Sequence, residues 1–271
     1  MKTEARITDA AGRSWTFAEA PRRVVSLVPS LTHSLVEMGH AGALAGRTRY
    51  CDRPADRLAA VPIMGGTKDP DVDRIIALEP DLVLMDMEEN READCRRMLD
   101  AGLRVLAVFP TAAEDVAPML RGLADVFRSA AAVRRRIDRM AARLAESRGE
   151  QIDSIPVFCA LWRGPYLSCN GRTYLSSLLE ATGFRNVLAD RPERYFRVDP
   201  AGLQFPPETR VLLPTEPYRF EGVPLQDLAG ELGVPVERVF LVQGELLTWH
   251  GMMMQEALES LRMLRRHLAT D

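Results

Sequence analysis

AAAVRRRIDRMAARLAES, residues 130–147, is the stretch on which the fold turns. It contains neither Pro nor Gly, and Val133, Ile137, Met140 and Leu144 recur at i, i+4, i+7 and i+11, the apolar stripe of a helix. A helix of this length spans ~27 Å, enough to cross a small domain. Arg134, Arg135, Arg136 and Arg139 stand among Asp138 and Glu146, the mixed-sign pattern of a solvated helix face. On the N-terminal side, short apolar runs predict strands at 23–28, 43–48, 81–85 and 104–109. Helical patterns lie between and after them: one through residue 39 capped by Ser30 or Thr32, then 71–78, 91–101 and 114–127. After Gly149 the alternation restarts, with strands at 156–161, 210–213 and 238–242 and helices at 174–181, 225–232 and 252–268. ALEPDLVLMDMEEN at 77–90 is echoed by QFPPETRVLLPTEPY at 204–218. Strands alternating with helices predict parallel α/β structure. The expected architecture is two Rossmann-like α/β lobes, 1–128 and 150–271, joined by a single long backbone helix at 129–149. A single six-stranded doubly wound domain is the alternative.

Composition narrows the function classes. The chain has 271 residues, 46% hydrophobic and 27% charged, with a net charge of -3. That balance gives no electrostatic reason to expect nucleic acid or an anionic membrane as partner. No run approaches the roughly 18 apolar residues of a membrane span. The opening MKTEARITDAAGRSWTFAEA is interrupted by acidic residues and lacks a signal-type apolar core. As it stands the sequence reads as cytoplasmic, or as periplasmic or otherwise extracytoplasmic if a leader was removed. The four cysteines show no C-x-x-C pair and no zinc-like spacing, so reduced thiols are expected. There is no G-x-S-x-G, P-loop, H-E-x-x-H or dinucleotide fingerprint, and Gly65-Gly66-Thr67-Lys68 is too short for a phosphate loop.

In open α/β sheets ligands bind beyond the carboxyl ends of the strands. That rule selects Pro29, Ser30 and His33 after the first strand, Tyr50 and Cys51 after the second, and Asp86, Glu88, Glu89 and Asn90 after the third. In the second half it selects Trp162, Arg163 and Tyr166, then Glu216 and Tyr218, then Trp249 and His250. Tyr195 is flanked by Arg194 and Arg197. Most of the three Trp and five Tyr fall at these predicted post-strand positions, as suits a cleft for a large, flat, partly apolar ligand. Glu88 and Glu89 read as ligand contacts, general bases or a pair ahead of a helix N-terminus. Cys51, Glu88 and His250 form an acceptable transition-metal set by ligand type.

Several of these stretches resemble one family. RRVVSLVPSLTHSLVEMG, RTRYCDRPAD and VPIMGGTKDPDVDRIIALEPDLVLM, followed in the second half by LWRGPYLSCNGRTYLSSLLEATGFRNVLAD, are similar to solute-binding proteins with a helical backbone linker, the receptors for cobalamin, ferric siderophores and haem. The resemblance covers about residues 22–267 and implies two lobes clamping a ligand. It places Tyr50, Tyr166 and Tyr195 at aromatic cleft positions, and puts Thr67 and Asp86 where cobalamin-binding members carry tryptophan. It matches Asp73 to the first of two acidic residues that dock a permease, and puts the second near Ala201, where no carboxylate stands. The function it implies is non-enzymatic: binding of a metal chelate or corrinoid-like small molecule, by a monomer with an ABC permease as partner. A metal ion or metal chelate is then ligand rather than resident cofactor. The rival is a cytoplasmic, metal-dependent enzyme that reuses the cleft, with Glu88 or Glu89 as base or metal ligand and His250 and His33 as partners.

Overall fold

The computed structural model describes residues 4–203 and 205–269. The chain divides into two compact units. The first comprises the chain through Phe109, Val116–Arg139 and His250–Met252. The second comprises Pro110–Asp115, Met140–Trp249 and the chain from Met253.

The first unit opens with a hairpin, β1 (Ala5–Thr8) and β2 (Ser14–Phe17), which the apolar periodicity did not reveal. Trp15 of β2 donates its indole N–H to the Val105 carbonyl at 2.9 Å, pinning the hairpin beside the sheet. There follow β3 (Val24–Ser26), α1 (Pro29–Glu37), β4 (Leu44–Arg47), the short α2 (Ala55–Leu58), α3 (Val72–Ala77), β5 (Leu82–Asp86), α4 (Glu92–Asp100), β6 (Val105–Val108) and α5 (Val116–Val126). All five residues of β5 and all four of β6 are buried, the continuous apolar run of a parallel strand covered on both faces. The cap expected from Ser30 or Thr32 is not made. Helix α1 starts at Pro29, whose fixed φ and missing N–H suit the first helical position. Thr32 lies inside the helix and its hydroxyl bonds back to the Val28 carbonyl at 2.9 Å.

Helix α6 (Ala131–Gly149) is continuous, and Ile137, Met140 and Leu144 are buried to 0%, 1% and 4% exposure. Its residues through Arg139 belong to the first unit and those from Met140 to the second. The second unit continues with β7 (Ile155–Cys159), β8 (Tyr166–Cys169), α7 (Tyr174–Ala181), β9 (Phe184–Asn186), β10 (Tyr195–Val198), β11 (Arg210–Pro214), α8 (Leu225–Leu232), β12 (Val239–Val242), α9 (Glu245–Thr248) and α10 (Met254–Leu268). The expected start of the last helix at residue 252 is two residues early: Gly251 is in the left-handed region and the Met252 amide is given to Ser34 Oγ at 3.0 Å.

Each unit is built on a four-stranded parallel sheet, ordered β4-β3-β5-β6 in the first and β12-β11-β7-β9 in the second. The order is the same in both. The first strand of each sheet, β3 or β7, is central, the next sheet strand joins one side, and the last two are added on the other. The strand order therefore reverses between β3 and β5, and again between β7 and β11. A crevice at the carboxyl ends of such a pair is where open α/β sheets receive ligands. The echo between 77–90 and 204–218 corresponds to β5 and β11, which hold equivalent places. β8 and β10 form a separate antiparallel ribbon.

Candidate functional site

In the first unit, β3 delivers Ser30 to the opening turn of α1, and β5 ends on Asp86. His250 sits across the reversal point between them. Its Nε2 lies 3.3 Å from Ser30 Oγ and 3.1 Å from Asp86 Oδ2, and all three residues are buried. A buried carboxylate needs partners, and Asp86 has more. Its Oδ1 accepts the amides of Glu88 at 2.7 Å and Glu89 at 3.1 Å. Asn90 Oδ1 accepts the Asp86 amide, while its Nδ2 donates to the carbonyls of Leu27 and Thr67. Asp86 and Asn90 thus fasten three loops at the end of the sheet. The strap His250–Gly251–Met252 is held further by Ser34, whose Oγ donates to the Ser30 carbonyl at 2.7 Å and accepts the Met252 amide at 3.0 Å.

A nucleophile–base–carboxylate relay needs the hydroxyl on one imidazole nitrogen and the carboxylate on the other. Here both meet Nε2. The arrangement fixes the strap rather than activating Ser30, and the enzyme reading is not favoured. The expected metal set does not assemble either. Cys51 is fully buried, receives the Thr32 hydroxyl at 3.1 Å and lies 3.1 Å from that of Thr48. Burial pushes its thiol pKa up, against the pull of those hydroxyls, so it is no ready thiolate ligand. Among the described residues no group of three or more His, Cys, Asp or Glu could hold a metal ion.

Glu88 and Glu89 lie in the turn after β5, three residues or more before α4 starts at Glu92. Lys68 Nζ donates to the Glu88 carbonyl at 2.6 Å. Glu89 is exposed, with partial desolvation at its carboxyl. That desolvation, followed by the charge of Asp86, raises its pKa above the ordinary carboxylate value, with His250 and Lys68 acting in the other direction. Tyr50 is 53% exposed, with the Arg49 guanidinium 5.7 Å from its ring. Pro29, His33 and Thr67 are half-buried. Asp73 is paired with Arg97 at 2.8 Å on the surface.

In the second unit Trp162 and Arg163 follow β7 in a tight turn closed by the Leu167 amide on the Trp162 carbonyl. The Trp162 ring stands edge-on to Tyr218, 5.5 Å away, across the reversal point between β7 and β11. Arg163 is committed within its own unit. It makes a two-pronged pair with Glu231 of α8, one prong at 3.0 Å. The Tyr166 hydroxyl donates to the same carboxylate at 2.7 Å. Burial, then Glu231, holds the Tyr166 phenol well above its ordinary pKa, while the Arg163 hydrogen bond leads in lowering that of Glu231. These side chains line an open groove of about 740 Å³ with Arg197 and Tyr218. Glu216 accepts the Thr248 hydroxyl at 3.0 Å, and Trp249 is buried.

The aromatic residues are therefore not all in loops. Tyr166 opens β8 and is 6% exposed, whereas Tyr195 lies in β10 at 48%. Val198 pairs with Tyr166 and stands three residues from Tyr195, so the pleat puts the two tyrosines on opposite faces of the ribbon. Glu231 escaped the sequence reading because rules for post-strand loops say nothing about which face of a helix turns toward them.

Two α/β units of the same strand order, each carrying its polar and aromatic side chains at the reversal point, define the two-lobed solute-binding fold. The chain belongs to the periplasmic binding protein family, which it matches over residues 24–202. It is 27% identical over 183 residues to a vitamin B12-binding protein of Photorhabdus laumondii, covering 66% of each chain. It is 24% identical to an uncharacterized ABC transporter substrate-binding lipoprotein, YvrC, of Bacillus subtilis, over 94% of this chain and 83% of that one. The apo form of the periplasmic heme-binding protein RhuT from Roseiflexus sp. RS-1 shares the fold, with a TM-score of 0.77 at 17% identity, covering 92% of this chain and 99% of that one.

Proposed function

We propose that this chain is the solute-binding component of an ABC importer, and that its ligand is a metal chelate or corrinoid-like small molecule of the cobalamin, siderophore or haem class. Family membership over residues 24–202 carries the reading. The vitamin B12-binding relative supports the ligand class, and the substrate-binding lipoprotein supports a permease partner and an extracytoplasmic location. No described helix is long and apolar enough to cross a membrane. Each unit offers its own candidate ligand contacts: Tyr50, Thr67, Glu88 and Glu89 in the first, and Trp162, Tyr166 and Tyr218 in the second. The corrinoid and haem members of this class present wide ring faces, which aromatic side chains at a wet rim hold well. Native mass spectrometry of freshly purified protein, followed by calorimetry with cyanocobalamin, ferric haem and a ferric siderophore, tests the reading. A bound mass or a micromolar or tighter isotherm with one of the three is expected. Absence of both for all three would sink it.

A further inference from the structure

The groove of the second unit also carries a charge preference. This inference rests on the binding-protein reading and specifies the ligand further. Four charged side chains line the groove: Arg163, Arg197, Asp199 and Glu231. Arg163 and Glu231 are spent on one another, with the Tyr166 hydroxyl on the same carboxylate. Asp199 is already engaged by a neighbour. Arg197 differs. It is exposed on β10, and among the described residues no carboxylate forms an ion pair with it. A guanidinium stays charged at every physiological pH. Its planar fork of donors fits a carboxylate, sulfonate or phosphate. Beside it the groove has an aromatic wall, Tyr218, against which Trp162 stands edge-on and 41% exposed.

We propose that this groove takes a flat ligand bearing a peripheral anionic group, with its rings against Tyr218, which Trp162 buttresses edge-on, and its anion on Arg197. The locked Arg163–Glu231 pair contributes shape and a hydrogen-bonded floor but no net charge. Arg197 is the residue that distinguishes an anionic ligand from a neutral one of the same outline.

Fluorescence titration of the full chain with two probes of matched ring system tests this: anilinonaphthalene sulfonate, and the uncharged phenylnaphthylamine that lacks its sulfonate. Arg197→Gln keeps a polar side chain and removes the charge. It is expected to weaken sulfonate binding roughly three- to tenfold and to leave the neutral probe unchanged, as for a partly solvated charge-assisted contact. Added salt should weaken the sulfonate on the wild type and not on the variant. Trp162→Ala should weaken both probes. If Arg197→Gln affects both probes equally, or neither, the charge preference is wrong while the binding-protein reading stands, to be decided by the cyanocobalamin, haem and siderophore isotherms. If neither probe binds the wild type, the groove is no ligand surface and the proposal falls.

Discussion

Glu231 holds a guanidinium and a phenol at once, so its charge sets the ionisation of both. Its negative charge resists formation of a second negative charge on the Tyr166 oxygen. Glu231→Gln should therefore let the Tyr166 phenol ionise at a lower pH, visible in a spectrophotometric tyrosine titration against a Tyr166→Phe control. Because Arg163 and Glu231 are both partly solvated, the stability lost should stay below about 1 kcal/mol. An unaltered phenol titration would show that the Tyr166–Glu231 contact is not kept in solution. Glu89 has the opposite sign. A carboxyl whose folded pKa is raised favours the native state most below its unfolded value, ~4.3, and loses that contribution as pH rises through the folded pKa. Glu89→Gln should accordingly melt at or above the wild-type temperature near neutral pH, with the gap closing in acid. A clear drop in melting temperature at neutral pH would mean that the carboxylate is held by a favourable contact. The chemistry-bearing residues at the ends of β3 and β5 were legible because strand ends can be counted. The Glu231 partner was not, since only the packed α8 brings it to Arg163.

At the level of elements, strands covered on both faces announced themselves. β5 and β11 are near-continuous apolar runs and were found within a residue or so, as was α6 by its stripe. The antiparallel pieces were missed: β1–β2 and β8–β10 carry polar residues at alternate positions and have no long apolar run to betray them. The strap at 250–252 was equally invisible, for it is defined by what it docks on. Its backbone is also exacting. Gly251 adopts φ +103°, and a Cβ there would meet Ser34 Oγ at 2.2 Å, in the hydroxyl that receives the Met252 amide. Gly251→Ala should cost roughly 1–3 kcal/mol from the backbone conformation alone. The steric clash adds to that, and a fall in melting temperature should report the sum. An alanine variant as stable as the wild type would show that the strap docks in another way.

For the whole molecule, acid sensitivity should come in two stages. His40 lies 2.7 Å from Ser129 Oγ with its ring against Phe127, and burial lowers its pKa. Its contribution is complete above the unfolded value of ~6.5 and is lost as pH falls through the lower folded one. Glu114 follows. Burial alone would raise its pKa, but the Arg148 and Ser177 hydrogen bonds outweigh that and hold it low, so its contribution is complete above ~4.3 and lost below the folded value. In a series of melting temperatures against pH, His40→Gln should flatten the mildly acidic limb and Glu114→Gln the more acidic one. Identical profiles for both variants and wild type would refute the assignment. The strap has one more consequence, and it concerns order in time. His250–Met252 complete the first unit, yet they emerge from the ribosome only after the chain has been extended from Arg139 through Trp249. At ordinary translation speeds that interval is on the order of 5–20 s. During it the nascent first unit holds Ser30 and Asp86 without the imidazole that later bridges them. The N-terminal part of the chain is therefore born first and finished nearly last.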